Sequence, residues 1–336
     1  QMHGEKPVGY GKKTTGGGDS VPVIVRSFAE ASAALSRYRE AFKAKTQISL
    51  VLHYTGRFDY KGIKDVCAQQ AKPAQTLQVT EVENVTIEGA PDSRANFGID
   101  ITAAKNIIIR NMTIGLVAGG PNGDTLTIGN DEAERPVENV WVDHNELFSS
   151  AKDCGVDAFD GLLDIMNKAS WITVSYNYFH DHKAAVVVGI SNTDLATRHV
   201  TFHHNWFDKL DSRTPQQTSG YVHSFNNYYS NIWTSGINVR KGGQALIESN
   251  VFENSTNPIT SRSTDEVGYW ELDDNLVGSG VTWSTPALAN ADHWRSTQAF
   301  ARDELGYSYT PDDTRCVKEI VQASAGATLK LPSGKK

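Results

Sequence analysis

The stretch that decides the fold is Ile172-Thr173-Val174-Ser175-Tyr176-Asn177, a short β-branched run that ends in asparagine. Similar runs recur along the chain, each ending in Asn or Gly, at residues 85–89, 107–111, 140–145, 200–205, 222–227 and 246–250. From Asn111 to Asn250, successive terminal asparagines are 34, 32, 28, 22 and 23 residues apart. A repeat with a period of roughly 20–50 residues is typical of solenoids and propellers.

The residue types in the repeats indicate which solenoid they form. A leucine-rich solenoid would show many leucines and a helix in each repeat, whereas these units are β-branched and aromatic with no helical pattern between them. Short strands stacked in parallel coils bury a continuous core. A terminal Asn suits such a coil, because it tolerates left-handed backbone and stacked amides can satisfy one another. We therefore predict an all-β parallel β-helix, since the alternative, a β-sandwich, needs hairpin signals that are sparse here.

The segments on either side of the repeats are expected to pack on the solenoid. Residues 1–20 are polar and glycine-rich and predict an irregular arm, and residues 28–42 predict the one helix, with Ser27 as N-cap. From residue 268 to 336 the repeat is lost, and its tryptophans are expected to cover the side of the coils: Trp270, Trp283 and Trp294. No linker divides the chain, so we predict one domain over residues 1–336.

Charge and cysteine content narrow the possible partners. A formal net charge of −7 argues against a nucleic-acid or membrane-surface partner, because those need a basic field. The longest apolar run, residues 184–190, is too short to cross a bilayer. Three cysteines, Cys67, Cys154 and Cys316, allow one bridge and a leftover thiol, or three reduced thiols.

Three aspartates are candidates for a metal site. Asp160 and Asp164 are four residues apart, and a straight strand would separate their Cα atoms by about 13 Å, too far for one ion. Both can reach one cation only if the chain bends, which Gly161 would allow. Asp124, one or two coils earlier, would complete a Ca²⁺ site with open positions. The alternative is that all three are solvated loop aspartates.

The other candidate residues are histidines and cations. His180, His182, His203 and His204 could chelate zinc, or they could be hydrogen-bonded rungs of a polar stack. Lys183 and Arg213 are single basic residues whose default place is the solvated surface. Beside three carboxylates, an acidic ligand bridged by a metal would give them a role. No nucleophile elbow, phosphate-binding loop or dinucleotide fingerprint is present.

Several longer motifs together carry a family resemblance. The segments are residues 140–148, 171–178, 202–205, Arg213-x-Pro215 and residues 236–240, in this order. They resemble the pectate lyases of polysaccharide lyase family 1, and the similarity extends from Tyr10 to about Arg262. The resemblance implies a right-handed parallel β-helix. It also implies a secreted, monomeric enzyme, whose signal peptide would already be absent from this chain.

The resemblance also implies a reaction and a set of roles. The enzyme would cleave α-1,4-linked polygalacturonate by Ca²⁺-dependent β-elimination, leaving 4,5-unsaturated oligogalacturonates. Asp124, Asp160 and Asp164 would hold Ca²⁺, and Arg213 would remove the C5 proton. Lys183, Thr218 and Arg240 would face the substrate. Sequence reasoning without the family would choose Lys183 as the base, because the pKa of a lysine can fall on burial whereas a guanidinium stays protonated.

The chain departs from the family pattern at four places. Asn122 stands where an aspartate is common, Lys183 lies one residue out of the usual spacing to Gly189, and Thr218 replaces a second arginine. Lys183 therefore needs a local bulge to take the usual role. Cys67 and Cys154 match a family disulfide, whereas the usual partner of Cys316 is missing. We expect the metal carboxylates on one coil and Arg213 on the next.

Two rival functions remain at this point. A pectin lyase acts on methylated polymer without metal and should lack the carboxylate cluster. A non-catalytic β-helix that only binds acidic glycan would be supported by Thr218, but it leaves Arg213 and the three carboxylates unexplained.

Overall fold

The strands form three parallel sheets that wind into a solenoid. The computed structural model describes residues 5–155, 159–284 and 294–332. Within these ranges sheet A has ten strands, in spatial order β1 (Val23–Val25), β2 (Leu50–Tyr54), β4 (Glu83–Gly89), β6 (Lys105–Arg110), β9 (Val137–Asp143), β12 (Ala169–Ser175), β15 (His199–His203), β18 (Tyr221–Phe225), β21 (Gln244–Glu248) and β24 (Tyr269–Asp273).

The other two sheets contain the remaining described strands. Sheet B consists of β7 (Thr113–Gly115), β10 (Glu146–Phe148), β13 (Tyr178–Ala184), β16 (Trp206–Ser212), β19 (Tyr228–Ile232), β22 (Val251–Glu253) and β25 (Leu276–Val277). Sheet C consists of β3 (Thr76–Thr80), β5 (Gly98–Thr102), β8 (Leu126–Ile128), β11 (Leu163–Ile165), β14 (Val186–Val188), β17 (Gln216–Thr218), β20 (Ile237–Arg240) and β23 (Ile259–Thr260).

The chain visits the sheets in the order A, B, C in each complete coil, and every pairing between these strands is parallel. The predicted right-handed parallel β-helix is therefore confirmed, in the hand that parallel connections adopt. Aliphatic side chains fill its interior together with a column of stacked rings. In that column the ring centroids of Phe179, Phe207, Tyr229 and Phe252 are 5.1, 5.0 and 4.4 Å apart in succession.

A ladder of asparagines links the coils where sheet A turns into sheet B. Both the backbone and side-chain amides of Asn145 donate to Asn177 Oδ1, at 2.9 and 3.0 Å. The same pair of bonds repeats from coil to coil through Asn205, Asn227, Asn250 and Asn275. These side chains are buried up to Asn250 and satisfy one another, as the repeat predicts.

The structure corrects one part of that prediction. The ladder asparagine does not adopt left-handed backbone; the residue before it does, as at His144 (φ 53°), Tyr176 (φ 54°) and His204 (φ 57°). For the same reason Asn111 (φ 58°) is not a ladder member. Met112 occupies the ladder position in that coil, and its N–H donates to Asn145 Oδ1 at 2.9 Å.

Helices and irregular segments cover the coils from outside. Helix α1 (Phe28–Lys43) is capped by Ser27, as predicted, and packs Leu35 and Tyr38 into the core. The repeat pattern does not reveal the short α2 (Val66–Gln69) or the C-terminal α3 (Val317–Ser324). Single 3₁₀ turns lie at Tyr60–Gly62, Gly120–Asn122, Arg302–Glu304 and Thr314–Cys316. None of the helices in the described ranges is long and apolar enough to span a bilayer.

Both terminal segments are tied to sheet A. In the N-terminal arm the Gly11 N–H donates to Thr173 Oγ1 at 2.9 Å, and a Cβ on Gly11 would lie 2.6 Å from the Thr173 nitrogen. At the other end the repeat continues past residue 268. Trp270 does not cover the side of the solenoid, because it lies in β24, paired with β21, and is 1% exposed. Trp283 and Trp294 are partly buried against the core, as expected.

The ladder gives a stability prediction. Asn205→Ala should destabilise the protein by roughly 3 kcal/mol, because the backbone N–H and one side-chain N–H of Asn177 lose their buried acceptor and the Val174 carbonyl loses the donor Asn205 Nδ2. Asn192→Ala, in an exposed turn, is the matched control and should change stability little. Urea unfolding followed by circular dichroism measures both, and equal midpoints for the two variants would contradict the assigned role of the ladder.

Candidate active site

The predicted functional side chains lie along one row of connections, those that lead from sheet B to sheet C. Asp124 precedes β8, Asp160 precedes β11 and Arg213 precedes β17. Because strands β8, β11, β14 and β17 are neighbours in sheet C, these connections stack along one side of the solenoid. Asp164 lies in β11 itself, and Lys183 lies next to the end of β13.

The three carboxylates meet as predicted. One oxygen of each aspartate (Asp124, Asp160 and Asp164) lies within 4.8 Å of the others. Asp124 is one coil before the other two, since the Thr125 N–H donates to the Gly161 carbonyl at 3.0 Å. Gly161 does not adopt left-handed backbone; what the glycine provides is space, because a Cβ there would lie 2.2 Å from Asp164 Oδ1. Glycine thus lets the chain pass close to the Asp164 carboxylate.

The carboxylates repel one another in the absence of a cation. Burial, followed by the charges of Asp164 and Asp160, raises the pKa of Asp124 to about 9. Burial and the charge of Asp160 also raise the pKa of Asp164, while the charge of Arg213 opposes that shift. Asp124 Oδ1 is buried and accepts no hydrogen bond. A buried carboxylate oxygen that lacks a donor and lies beside two further carboxylates suits a hard divalent cation such as Ca²⁺. Asn122 is exposed in the 3₁₀ turn before Asp124.

Lys183 reaches the site from the last but one position of β13. Asp181 adopts left-handed backbone (φ 50°), but the register with β16 keeps one offset from His180–Asp208 through His182–Leu210 to Ala184–Ser212. A bulge would change that offset, so this pairing does not contain the local bulge that we expected for Lys183. The Lys183 ammonium lies 3.3 Å from Asp153 Oδ1, an exposed pair that contributes little to stability.

Arg213 lies across a cavity from the carboxylates. The cavity has a volume of about 320 Å³ and is lined by Ser150, Lys152, Phe159, Asp160, Gly161, Asp164, His182, Lys183, Ala184, Val187, Ile190 and Arg213. Arg213 is exposed, has left-handed backbone (φ 67°), and precedes the cis peptide bond between Thr214 and Pro215. The coil of Lys183 lies between the coil of Asp164 and that of Arg213, so the expectation of adjacent coils is wrong by one.

The histidines behave as the non-metal alternative predicts. His182 is buried and hydrogen-bonded to Ser149, and burial lowers its pKa to about 4, so it is neutral at pH 7. His180 contacts Glu146 and Asp181, and His204 contacts Asp312. In the described ranges, the aspartates Asp124, Asp160 and Asp164 are the one group that brings three metal-type ligands together.

Thr218 is not placed to bind substrate, which corrects the sequence prediction. It is fully buried, and its hydroxyl accepts from Arg240 Nη2 at 2.7 Å. Arg240 is itself 5% exposed and also donates to the Ser263 carbonyl at 2.9 Å. Burial, and then the positive charge of Arg213, lower the pKa of Arg240, so the two guanidinium groups are near neighbours. Thr218 therefore orients Arg240 behind Arg213.

Sequence reasoning missed residues that line the cavity from loops. Lys152 adds a third cation, and Ile190 adds an apolar wall that is 46% exposed. Lys152 is close in sequence to Cys154, whose disulfide with Cys67 is confirmed, with a Cα–Cα distance of 5.1 Å. The disulfide ties this loop to helix α2. The match of Cys67 and Cys154 to a family disulfide was the sequence signal that could have placed the loop of Lys152 near the site. Cys316 is a free, exposed thiol.

Comparison with known proteins identifies the family. A family model described as pectate lyase matches residues 8–330. The chain belongs to the pectate lyase family. The resemblance found in the sequence motifs is thus confirmed, together with the enzyme class, a polysaccharide lyase.

Individual relatives agree with this family. Pectate lyase 2 of Pectobacterium carotovorum is 39% identical over 302 residues, which cover 84% of this chain and 78% of that protein. The structure of pectate lyase II from Xanthomonas campestris is 45% identical, with a TM-score of 0.89, and the match covers 96% of this chain and 98% of that one. Pectate lyase C from Erwinia chrysanthemi, solved with Ca²⁺, is 33% identical, with a TM-score of 0.87 and coverage of 98% and 99%.

The carboxylate cluster predicts a pH-dependent stability in metal-free protein. A carboxyl whose pKa is raised on folding stabilises the folded state below its ordinary pKa of 3.8, and this stability is lost as the pH rises toward the raised value. The free energy of unfolding should therefore fall between about pH 4 and pH 9 in the presence of a chelator, by an amount on the order of a few kcal/mol.

Asp124→Asn keeps the shape and removes one charge, so it should flatten this fall. Asp19→Asn changes an exposed aspartate outside the cluster and should leave the profile unchanged. Chemical unfolding at a series of pH values measures the effect. A profile for Asp124→Asn that coincides with that of the unmodified protein would contradict the assigned repulsion.

Proposed function

We propose that the chain cleaves α-1,4-linked polygalacturonate by Ca²⁺-dependent β-elimination and releases 4,5-unsaturated oligogalacturonates. The observation that carries this proposal is the meeting of opposite charges: Asp160, Asp164, Lys183 and Arg213 line one cavity, and Asp124 completes the carboxylate cluster. A polyanionic chain in this cavity meets the cations directly and can meet the carboxylates only through a bridging cation. An Arg-to-Lys variant of pectate lyase C has been solved with pentagalacturonic acid, which supports this substrate class.

Asp124, Asp160 and Asp164 are the residues that would hold the ion. When bound, Ca²⁺ would neutralise a substrate carboxylate and thereby favour loss of the proton α to it. The buried Asp124 oxygen that lacks a donor supports this assignment. Asn122 would offer at most an uncharged oxygen, so we expect the affinity for the ion to depend on the three aspartates.

Arg213 is the residue that we propose takes the C5 proton, and Lys183 is the alternative. The backbone of Arg213 is anchored to the neighbouring coil, because its carbonyl accepts from the Val186 N–H at 2.8 Å. Lys183 would pair with the carboxylate of the reacting sugar and so stabilise the charge that develops there. Its partner Asp153 is exposed, so a substrate carboxylate can replace it.

Arg240 and Thr218 would act behind this pair. Arg240 lies near Arg213 and is almost fully buried, so we assign it to positioning and to adding positive charge rather than to direct contact with the substrate. Secretion and a monomeric state belong to the same proposal. The disulfide between Cys67 and Cys154 supports secretion, since disulfides persist in oxidising compartments.

The base assignment is tested by two substitutions. Arg213→Lys should lower kcat at least about 100-fold, because general base catalysis is worth that much, and Lys183→Ala should raise KM and also lower kcat, because Lys183 pairs with the substrate carboxylate before and during the development of charge. Arg37→Lys, on the exposed face of helix α1, is the control. Near-full turnover in Arg213→Lys, combined with complete loss in Lys183→Ala, would instead assign the base to Lys183.

The reaction is tested by the ultraviolet absorbance of the unsaturated product, with polygalacturonate and with methylated pectin. We expect activity on polygalacturonate that a chelator abolishes and added Ca²⁺ restores, and that Asp164→Ala lowers at least about tenfold because a charged ligand is lost. Activity on methylated pectin that survives the chelator would indicate a pectin lyase. Binding without any product would indicate a non-catalytic glycan-binding protein.

A further inference from the structure

An exposed tryptophan lies one coil beyond Arg213 on the same row of connections. Trp233 follows β19, on the connection that leads to β20, and is 47% exposed. The backbone N–H of Trp233 donates to the Leu210 carbonyl at 3.0 Å, and the backbone N–H of Thr234 donates to the Asp211 carbonyl at 2.9 Å. Trp233 therefore lies beside Asp211, two residues before Arg213.

Strand register places Trp233 in line with the cavity. The pairs His182–Leu210 and Leu210–Ile232 make Lys183, Asp211 and Trp233 successive neighbours across sheet B. Coils are spaced by about 4.8 Å, so the backbone of Trp233 is about 10 Å from that of Lys183 along the solenoid axis. A linear polymer that lies along the axis over Lys183 and Arg213 would pass Trp233 next.

The indole of Trp233 has an open face. Within the described residues it makes no contact with another aromatic ring, whereas the equally exposed Trp171 stacks on His199 at 4.3 Å. Single exposed apolar side chains are ordinary on protein surfaces. Trp233 differs from other exposed apolar side chains of this protein in its position, because it lies on the row of connections that carries Asp160 and Arg213.

The negative charge of Asp211 next to Trp233 disfavours binding of a sugar carboxylate there. Its neighbour toward the cavity is Asp211, whose Oδ1 accepts from the Thr234 hydroxyl at 2.6 Å, and its neighbour on the far side is Thr256. The exposed Lys209 is on the coil of Asp211. The hydrogen bond with His180, and then the charges of His180 and Lys209, lower the pKa of Asp181, which is on the opposite side of that coil from Trp233. A sugar carboxylate over Trp233 would thus meet the like charge of Asp211, and a methyl ester would not.

We propose that Trp233 and Asp211 form a subsite, next to the reaction centre, for a methyl-esterified galacturonosyl unit. The electron-rich indole face would stack against the C–H groups of the pyranose ring, and Asp211 would select the uncharged ester over the free acid. The polymer preferred by the enzyme is then partly esterified, with a free carboxylate at the reacting sugar and an ester one or two units away. This inference rests on the proposed function for its substrate.

Substitution of Trp233 tests the subsite. Trp233→Ala should raise KM for partly methyl-esterified pectin about two- to tenfold, with a smaller effect on fully de-esterified polygalacturonate, and Trp233→Phe should retain most of the binding. Asp211→Asn should improve kcat/KM on polygalacturonate about two- to fivefold and leave esterified pectin nearly unchanged, because an exposed like charge is removed. Trp171→Ala is the control for loss of an exposed indole.

Binding is also measured without turnover, by electrophoretic retardation in gels that contain either polymer. Selective loss of retardation by esterified pectin in Trp233→Ala supports the subsite even if the protein proves inactive, an outcome that would overturn only the proposed reaction. Equal effects of Trp233→Ala on the two polymers, or no effect on either, would overturn the subsite while leaving the proposed reaction intact.

Discussion

The structure depends on the hydrogen bonds of the asparagine ladder. Each ladder amide accepts from the backbone and side chain of the preceding rung, and it donates to a backbone carbonyl and to the next rung, as Asn205 does between Asn177 and Asn227. A buried amide with all its partners present tolerates no shift in register, because a shift would leave several polar groups unpaired. From Asn145 to Asn275, the ladder therefore fixes where each coil turns from sheet A to sheet B.

This constraint also positions the connections from sheet B to sheet C, which carry residues of the candidate active site. Because each coil starts from the same ladder position, the connections from sheet B to sheet C also stack, although their lengths differ. Residues far apart in sequence, such as Asp160 and Arg213, are brought to one cavity by this stacking. The rigid backbone supports a mutually repelling carboxylate group, whose raised pKa values reflect the cost of holding the charges together. The fold thus holds the carboxylates together despite their mutual repulsion, and a bound cation would offset that repulsion.

The repeat and the motifs predicted most of the fold and the members of the site. The features that could not be predicted depend on which strands pair and on which way each side chain faces. Thr218 has the residue type and place of a substrate contact, but its position in β17 turns it beneath Arg240. The repeat that ends at Asn177 already indicates the coil between Asp164 and Arg213, so counting the repeats would have predicted this coil. Helix α3 lies outside the repeat, so the period of the repeat could not predict this helix.

The alignment of the hydrogen bonds also gives the molecule a mechanical direction. The bonds between coils, both in the sheets and in the ladder, run parallel to the solenoid axis. A force along that axis would load one interface between coils at a time, and the coils would peel from an end. A force across the axis would load many bonds of a sheet in shear at once. Asn275, between β24 and β25 at one end of the solenoid, lacks a further amide neighbour within the described chain, so peeling should begin there.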